Sequence, residues 1–154
     1  MLFFLELIPY IIIFIFGITI GSFLNVCIYR IPLGESIVTA PSDCMTCGRR
    51  VKWYDMVPVF SWLVFGGKCR NCKSKISVQY TIIEGVNGIL YVVIFAVNGL
   101  VWSSVIYCLM ASALLVLSVI DWRTYEIPFG INVFLFVLGV AMAVLDRGNL
   151  AEHL

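Results

Sequence analysis

Leu7 to Tyr29 is a long apolar run, broken only by Pro9, glycines and a few small polar residues. It is longer than the roughly 20 residues a helix needs to cross a bilayer. Three further runs follow at Val78–Val97, Val101–Ile120 and Ile127–Leu145. In lipid, every backbone N–H and C=O must find a partner within its own segment, so such runs fold as helices. Composition agrees. Of the 154 residues, 62% are hydrophobic and 12% charged, with a mean hydropathy of +1.03, against roughly 25% charged in a soluble domain. A soluble domain of this size could not bury that much apolar surface. Disordered, collagen-like and disulfide-rich secreted classes are excluded on the same ground. A net charge of +1 provides no bulk field to attract nucleic acid. The first run is expected to be a membrane helix rather than a signal peptide, because Glu6 but no Lys or Arg precedes it in this sequence and it is too long for such a segment.

Basic residues orient the chain. Arg30, Arg49, Arg50, Lys52, Lys68, Arg70, Lys73 and Lys75 lie between the first and second runs, and Arg123 between the third and fourth. Nine of the ten Lys and Arg thus fall on one side, leaving only Arg147 on the other. The positive-inside rule makes the basic side cytoplasmic, with both termini outside. The expected fold is an all-α polytopic membrane protein of about four transmembrane helices with a small cytoplasmic zinc-binding loop domain. Residues 1–29 form the first helix, 30–77 the loop domain, and 78–154 helices two to four, ending in a short polar tail from Asp146 to Leu154. Asn98-Gly99 reads as a tight turn. Gly17, Gly21 and Asn25 recur every four residues on one helix face, which lets another backbone approach closely. Packing within the chain is favoured over a dimer contact.

The cytoplasmic loop carries four of the six cysteines as two pairs, Cys44-Met-Thr-Cys47 and Cys69-Arg-Asn-Cys72. Two C-x-x-C knuckles at this separation suit one tetrahedral thiolate site. Gly48 and Lys73 follow the pairs, where such knuckles often need a left-handed residue. Zinc is the expected ion, since four soft thiolates select zinc or iron, and its closed shell makes the role structural. Disulfides are disfavoured in a reducing cytosol, and a redox motif is disfavoured by the matched pairs. Cys27 and Cys108 lie inside helices and read as packing residues. The aromatic stretch around Trp53-Tyr54 and Phe60-Ser61-Trp62 forms either a small core round the metal or an interfacial patch.

Acids within spans are functional candidates by default. Asp121 ends the third helix at its cytoplasmic edge, and depth alone leaves a structural and a functional role equally open. Glu84 lies about two turns inside the second helix, within reach of an arginine of the loop. An aspartyl protease needs two carboxylates sharing one proton, one activating water and the other protonating the carbonyl oxygen. Asp121 offers one. Glu126 and Glu84 are poor seconds, the first on the same loop and the second at another depth.

Several strings together resemble the N-terminal part of the bacterial type IV prepilin peptidases. They are Gly21-Ser-Phe-Leu-Asn-Val-Cys-Ile-Tyr-Arg-Ile-Pro32, Ala40-Pro-Ser, Cys44-x-x-Cys47-Gly48 and Trp53-Tyr-Asp-Met-Val-Pro-Val-Phe-Ser-Trp-Leu63. Gly67-Lys-Cys-Arg-Asn-Cys72, Ile76-Ser77, Tyr80-Thr-Ile-Ile-Glu84 and Asp121-Trp-Arg-Thr-Tyr-Glu-Ile-Pro128 continue the series. The likeness covers nearly all of residues 17–130. It implies a membrane aspartyl endopeptidase of the bacterial inner membrane that removes the short basic leader of type IV prepilins and related pseudopilins. Many members also N-methylate the new terminus with S-adenosylmethionine. Asp121 falls on the family's first catalytic aspartate, and Cys44, Cys47, Cys69 and Cys72 on its tetracysteine site.

Three departures stand out. The family's second aspartate lies in a later Gly-x-Gly-Asp motif, a string missing from these 154 residues. Thr81 and Phe129 replace a common Pro and a common Asn or Asp. The expectation is a fragment, a truncated product or half of a split enzyme, inactive alone, with a second chain or C-terminal segment supplying the missing aspartate. The alternative function is a non-catalytic membrane module that binds prepilin or assembly partners.

Overall fold

The computed structural model describes residues 2–37, 72–74 and 77–152. Four helices run in order: α1 (Leu2–Arg30), α2 (Val78–Asn98), α3 (Trp102–Thr124) and α4 (Phe129–Glu152). Leu7–Arg30, Val78–Asn98 and Trp102–Thr124 are long and apolar enough to cross a membrane, and α4 adds the shorter apolar stretch Phe129–Leu145. Only 28–33% of the three long stretches is buried by protein. Ile12, Ile15, Phe16, Ile89 and Val93 are among the large apolar side chains left facing outward, where lipid rather than water is the stable neighbour.

Helix boundaries follow local chemistry. Ser77 caps α2, its Oγ accepting the Gln79 N–H at 3.3 Å. At the other end Gly99 (φ 80°) donates its N–H to the Phe95 carbonyl at 2.9 Å, a conformation that suits glycine. Ser104 Oγ donates to the Gly99 carbonyl at 2.7 Å and ties the α2–α3 turn to the start of α3. Three boundaries, in two helices, differ from the sequence reading. Helix α3 continues past Ile120 to Thr124, so Asp121 lies within the last turn rather than at its end. Helix α4 starts at Phe129 and continues to Glu152, through most of the expected polar tail. Its later start fits Pro128, which disfavours helical backbone at the residue before it and suits a position at a first turn.

α1 packs most extensively on α2, antiparallel, and α3 covers the pair and touches α4. The register is set by small residues. A Cβ on Gly17 would lie 2.8 Å from the Gly88 Cα, and one on Gly21 would lie 2.7 Å from the Glu84 Cα. The small-residue face of α1 is therefore an intramolecular seam, as expected. Polar groups bind across it. Asn25 Nδ2 donates to the Tyr80 carbonyl at 3.1 Å, and Asn87 Nδ2 donates to the Gly17 carbonyl at 2.8 Å. Ser112 Oγ of α3 then donates to Asn87 Oδ1 at 2.9 Å and lies 3.0 Å from the Tyr91 hydroxyl. Beside the Asn25–Tyr80 bond, Leu24, Cys27, Ile28, Ile83, Val116, Ile120 and Ile131 belong to one buried cluster. Cys27 and Cys108 are both buried, in keeping with packing roles.

Candidate active site

α3 positions Asp121. Trp102 and Trp122 stand at its two ends, 83% and 84% exposed. Twenty residues of helix rise roughly 30 Å, the thickness of a hydrocarbon core, and exposed Trp favours the two interfaces. Asp121, the neighbour of Trp122, therefore falls at the membrane boundary, solvent-exposed. The helix closes just beyond it. Tyr125 adopts the left-handed conformation (φ 53°, ψ 27°) and donates its N–H to the Asp121 carbonyl at 2.9 Å. The chain then turns through Glu126, Ile127 and Pro128 into α4.

An aromatic and cationic stack anchors this helix end. The Arg123 guanidinium carbon lies 4.1 Å from the centre of the Tyr29 ring. Tyr29 stacks on Tyr80 with centroids 5.4 Å apart and planes 7° from parallel. One residue of each long helix joins the stack, so the turn bearing Asp121 is fixed against both α1 and α2. A contact of this kind contributes roughly 0.5–2 kcal/mol, more as it is desolvated.

Two clefts flank the helix end. One, of about 340 Å³, is lined by Ile31, Pro32, Ile120, Glu126, Ile127 and Pro128. The other, of about 490 Å³, opens between α2 and α3 and is mostly apolar, with Gln79, Ser118 and Arg123 as its polar members.

The remaining candidates are placed unevenly. Glu84 is buried at 7% exposure, with its backbone against Gly21, one seam step from the Asn25–Tyr80 contact. Its pairing with an arginine of the loop lies outside the described residues. So do Cys44, Cys47 and Cys69. Cys72 is exposed, its Sγ 3.0 Å from Ser74 Oγ. Lys73 is left-handed (φ 56°), the conformation expected of the residue after a second knuckle. Among the described residues no group of three or more His, Cys, Asp or Glu side chains converges. A cysteine next to a left-handed residue is compatible with one corner of a four-cysteine site, a donor set that would suit zinc.

Sequence reasoning missed the Asn87–Ser112–Tyr91 network and the Tyr29–Tyr80–Arg123 stack. The signal was present. Tyr80, Glu84, Asn87 and Tyr91 recur at three- and four-residue intervals along one face of an otherwise apolar helix, the mark of an inward polar stripe.

Residues 15–98 match the bacterial peptidase A24 N-terminal domain. The chain belongs to that family. It is 36% identical over 130 residues to a prepilin leader peptidase/N-methyltransferase of Myxococcus xanthus, a span covering 84% of this chain and 39% of the relative. A protein of the same description from Vibrio cholerae is 43% identical over 84 residues, covering 49% and 33%. One from Bacillus subtilis is 32% identical over 126 residues, covering 80% and 50%. The chain spans roughly a third to a half of the length of these curated relatives. No solved structure matches it.

Proposed function

We propose that the chain is the N-terminal part of an aspartyl prepilin peptidase, in which Asp121 supplies one carboxylate of the catalytic dyad. The observation that carries this reading is the position of Asp121: exposed, at the membrane boundary, in a helix turn fixed by the Tyr29–Tyr80–Arg123 stack. The relatives' names support a prepilin or pseudopilin substrate. The dyad's other member is an aspartate in a Gly-x-Gly-Asp segment, from the same protein or a second chain. Two carboxylates at close range share one proton, so one deprotonates the attacking water while the other protonates the peptide carbonyl. Asp121 is exposed enough to admit water, and its immobilised turn keeps the carboxylate in place as the second approaches.

The nine-to-one distribution of basic residues supports an inner-membrane topology with the cysteine loop cytoplasmic and the N-terminus outside. Cys44, Cys47, Cys69 and Cys72 would hold a structural zinc that folds the loop. S-adenosylmethionine is the proposed methyl donor for a second activity on the new N-terminus. Neither cleft among the described residues presents a recognisable donor set for it, and no step of that transfer is assigned to a described residue.

The test is reconstitution. The 154-residue polypeptide is expressed with a prepilin, with and without a membrane segment carrying Gly-x-Gly-Asp, and the leader is followed by mass spectrometry. Cleavage is expected only when the segment is present. Cleavage by the 154 residues alone would overturn the dyad assignment.

A further inference from the structure

The smaller cleft beside Asp121 has an amphipathic lining. Five of its six residues, Ile31, Pro32, Ile120, Ile127 and Pro128, are apolar, and the sixth is Glu126. Ile120 directly precedes Asp121. The turn capped by Tyr125 on the Asp121 carbonyl brings Glu126 round to the same helix end. Among the described residues Glu126 has no salt-bridge or hydrogen-bond partner. The nearest cation in sequence, Arg123, instead lies over the Tyr29 ring. Among the described residues, a carboxylate without a partner therefore stands at an apolar slot.

A lysine or arginine side chain matches such a slot, because its aliphatic stem packs on apolar walls while its charged head reaches a carboxylate. A volume of about 340 Å³ admits one such side chain. A wholly apolar side chain would gain nothing from Glu126, and an acidic one would be repelled by it. We propose that this cleft is a cation subsite in which Glu126 binds a Lys or Arg side chain of the peptide substrate, next to the bond presented to Asp121. The proposal rests on the peptidase reading of Asp121 and adds a specificity determinant to it. Glu126 is then a binding residue and takes no part in the chemistry. The apolar groove between α2 and α3 is left for lipid or a neighbouring helix.

The experiment measures peptide binding to the 154-residue protein in nanodiscs of phosphatidylcholine and phosphatidylglycerol. Binding is read by fluorescence anisotropy and needs no dyad. The probes are labelled peptides with a polar segment joined to an apolar helix, carrying one Lys at successive positions before the junction. Each has a counterpart with norleucine, which keeps the stem and removes the charge. At the best position the Lys peptide should bind about tenfold more tightly, equivalent to about 1.4 kcal/mol. The ratio should shrink as salt is raised. Glu126→Gln should bring it to about one, and Glu126→Lys should invert it towards a Glu-bearing peptide. Glu126 is exposed, so both variants should keep wild-type helicity by circular dichroism. A Lys preference that survives Glu126→Gln would overturn the proposal. So would a preference that disappears once phosphatidylethanolamine is added, since the slot would then hold a lipid ammonium. The readout is binding and involves no bond cleavage, so failure of the catalytic reading and failure of the subsite are separately visible.

Discussion

Replacing Gly21 by alanine tests whether the α1–α2 seam positions the site. The added Cβ would lie 2.7 Å from the Glu84 Cα and 3.3 Å from the Glu84 carbonyl oxygen. Carbon atoms pack at roughly 3.5–4.0 Å, so the two backbones must part by roughly 1 Å at this level. Both near neighbours are main-chain atoms, which cannot rotate aside. Parting the helices by that amount takes the 3.1 Å Asn25–Tyr80 bond beyond hydrogen-bonding range. It also strains the 2.8 Å Asn87–Gly17 bond. Overpacking costs roughly 1–3 kcal/mol, and each interhelical hydrogen bond lost in lipid adds about 0.6–2 kcal/mol. A loss of about 2–4 kcal/mol is expected in all. The assay is reversible unfolding of the purified protein in mixed micelles by sodium dodecyl sulfate, followed by circular dichroism. Gly85→Ala is the matched control on the facing helix, because a Cβ there meets nothing within 4 Å. It should be neutral or stabilise by up to about 1 kcal/mol, the helix propensity gained over glycine. If the two variants unfold together, the seam does not govern this fold.

Three other outcomes are expected. Asn87→Leu should destabilise by about 1–2 kcal/mol, and combining it with Ser112→Ala should cost less than the sum of the single losses. Additive losses would show that the buried polar network is not one unit. Elemental analysis of the purified protein should find about one zinc per chain. Cys69→Ser should lower that content and loosen the loop, and full occupancy in that variant would count against the four-thiolate site. An impermeant maleimide added to sealed cells should label Leu100→Cys, placed between α2 and α3, and should spare Cys72. Labelling of Cys72 from outside would reverse the proposed topology.

The helices were legible because the chain's apolar runs reach spanning length and its basic residues cluster between them. The seam was legible too, because the four-residue spacing of Gly17, Gly21 and Asn25 is a property of one helix alone. Details that depend on two or three helices were not. The Tyr29–Tyr80–Arg123 stack joins residues 51 and 43 positions apart along the chain, and no periodicity within one helix reports their meeting. Asn87 was visible as a polar residue in a span, but its partners Gly17 and Ser112 emerge only once the register of α1, α2 and α3 is known. The extra turn of α3 beyond Ile120 was hidden because Asp121, Arg123 and Thr124 end the hydrophobic signal before the backbone stops being helical. Hydropathy reports lipid contact, whereas the left-handed Tyr125 ends the helix. Asp121 itself was ambiguous from depth and gained weight from the motif around it.

The most direct measurement is the leader-cleavage rate of the reconstituted enzyme with Asp121→Asn, against the unsubstituted protein at equal membrane abundance. Asparagine keeps the shape of the side chain but cannot share a proton, so the rate should fall at least about 100-fold, the lower bound for losing a positioned acid–base group. Because Asp121 is exposed, helix content and zinc content should stay unchanged. An Asp121→Asn enzyme that still removes the leader at the unsubstituted rate would contradict the assignment of Asp121 to the dyad.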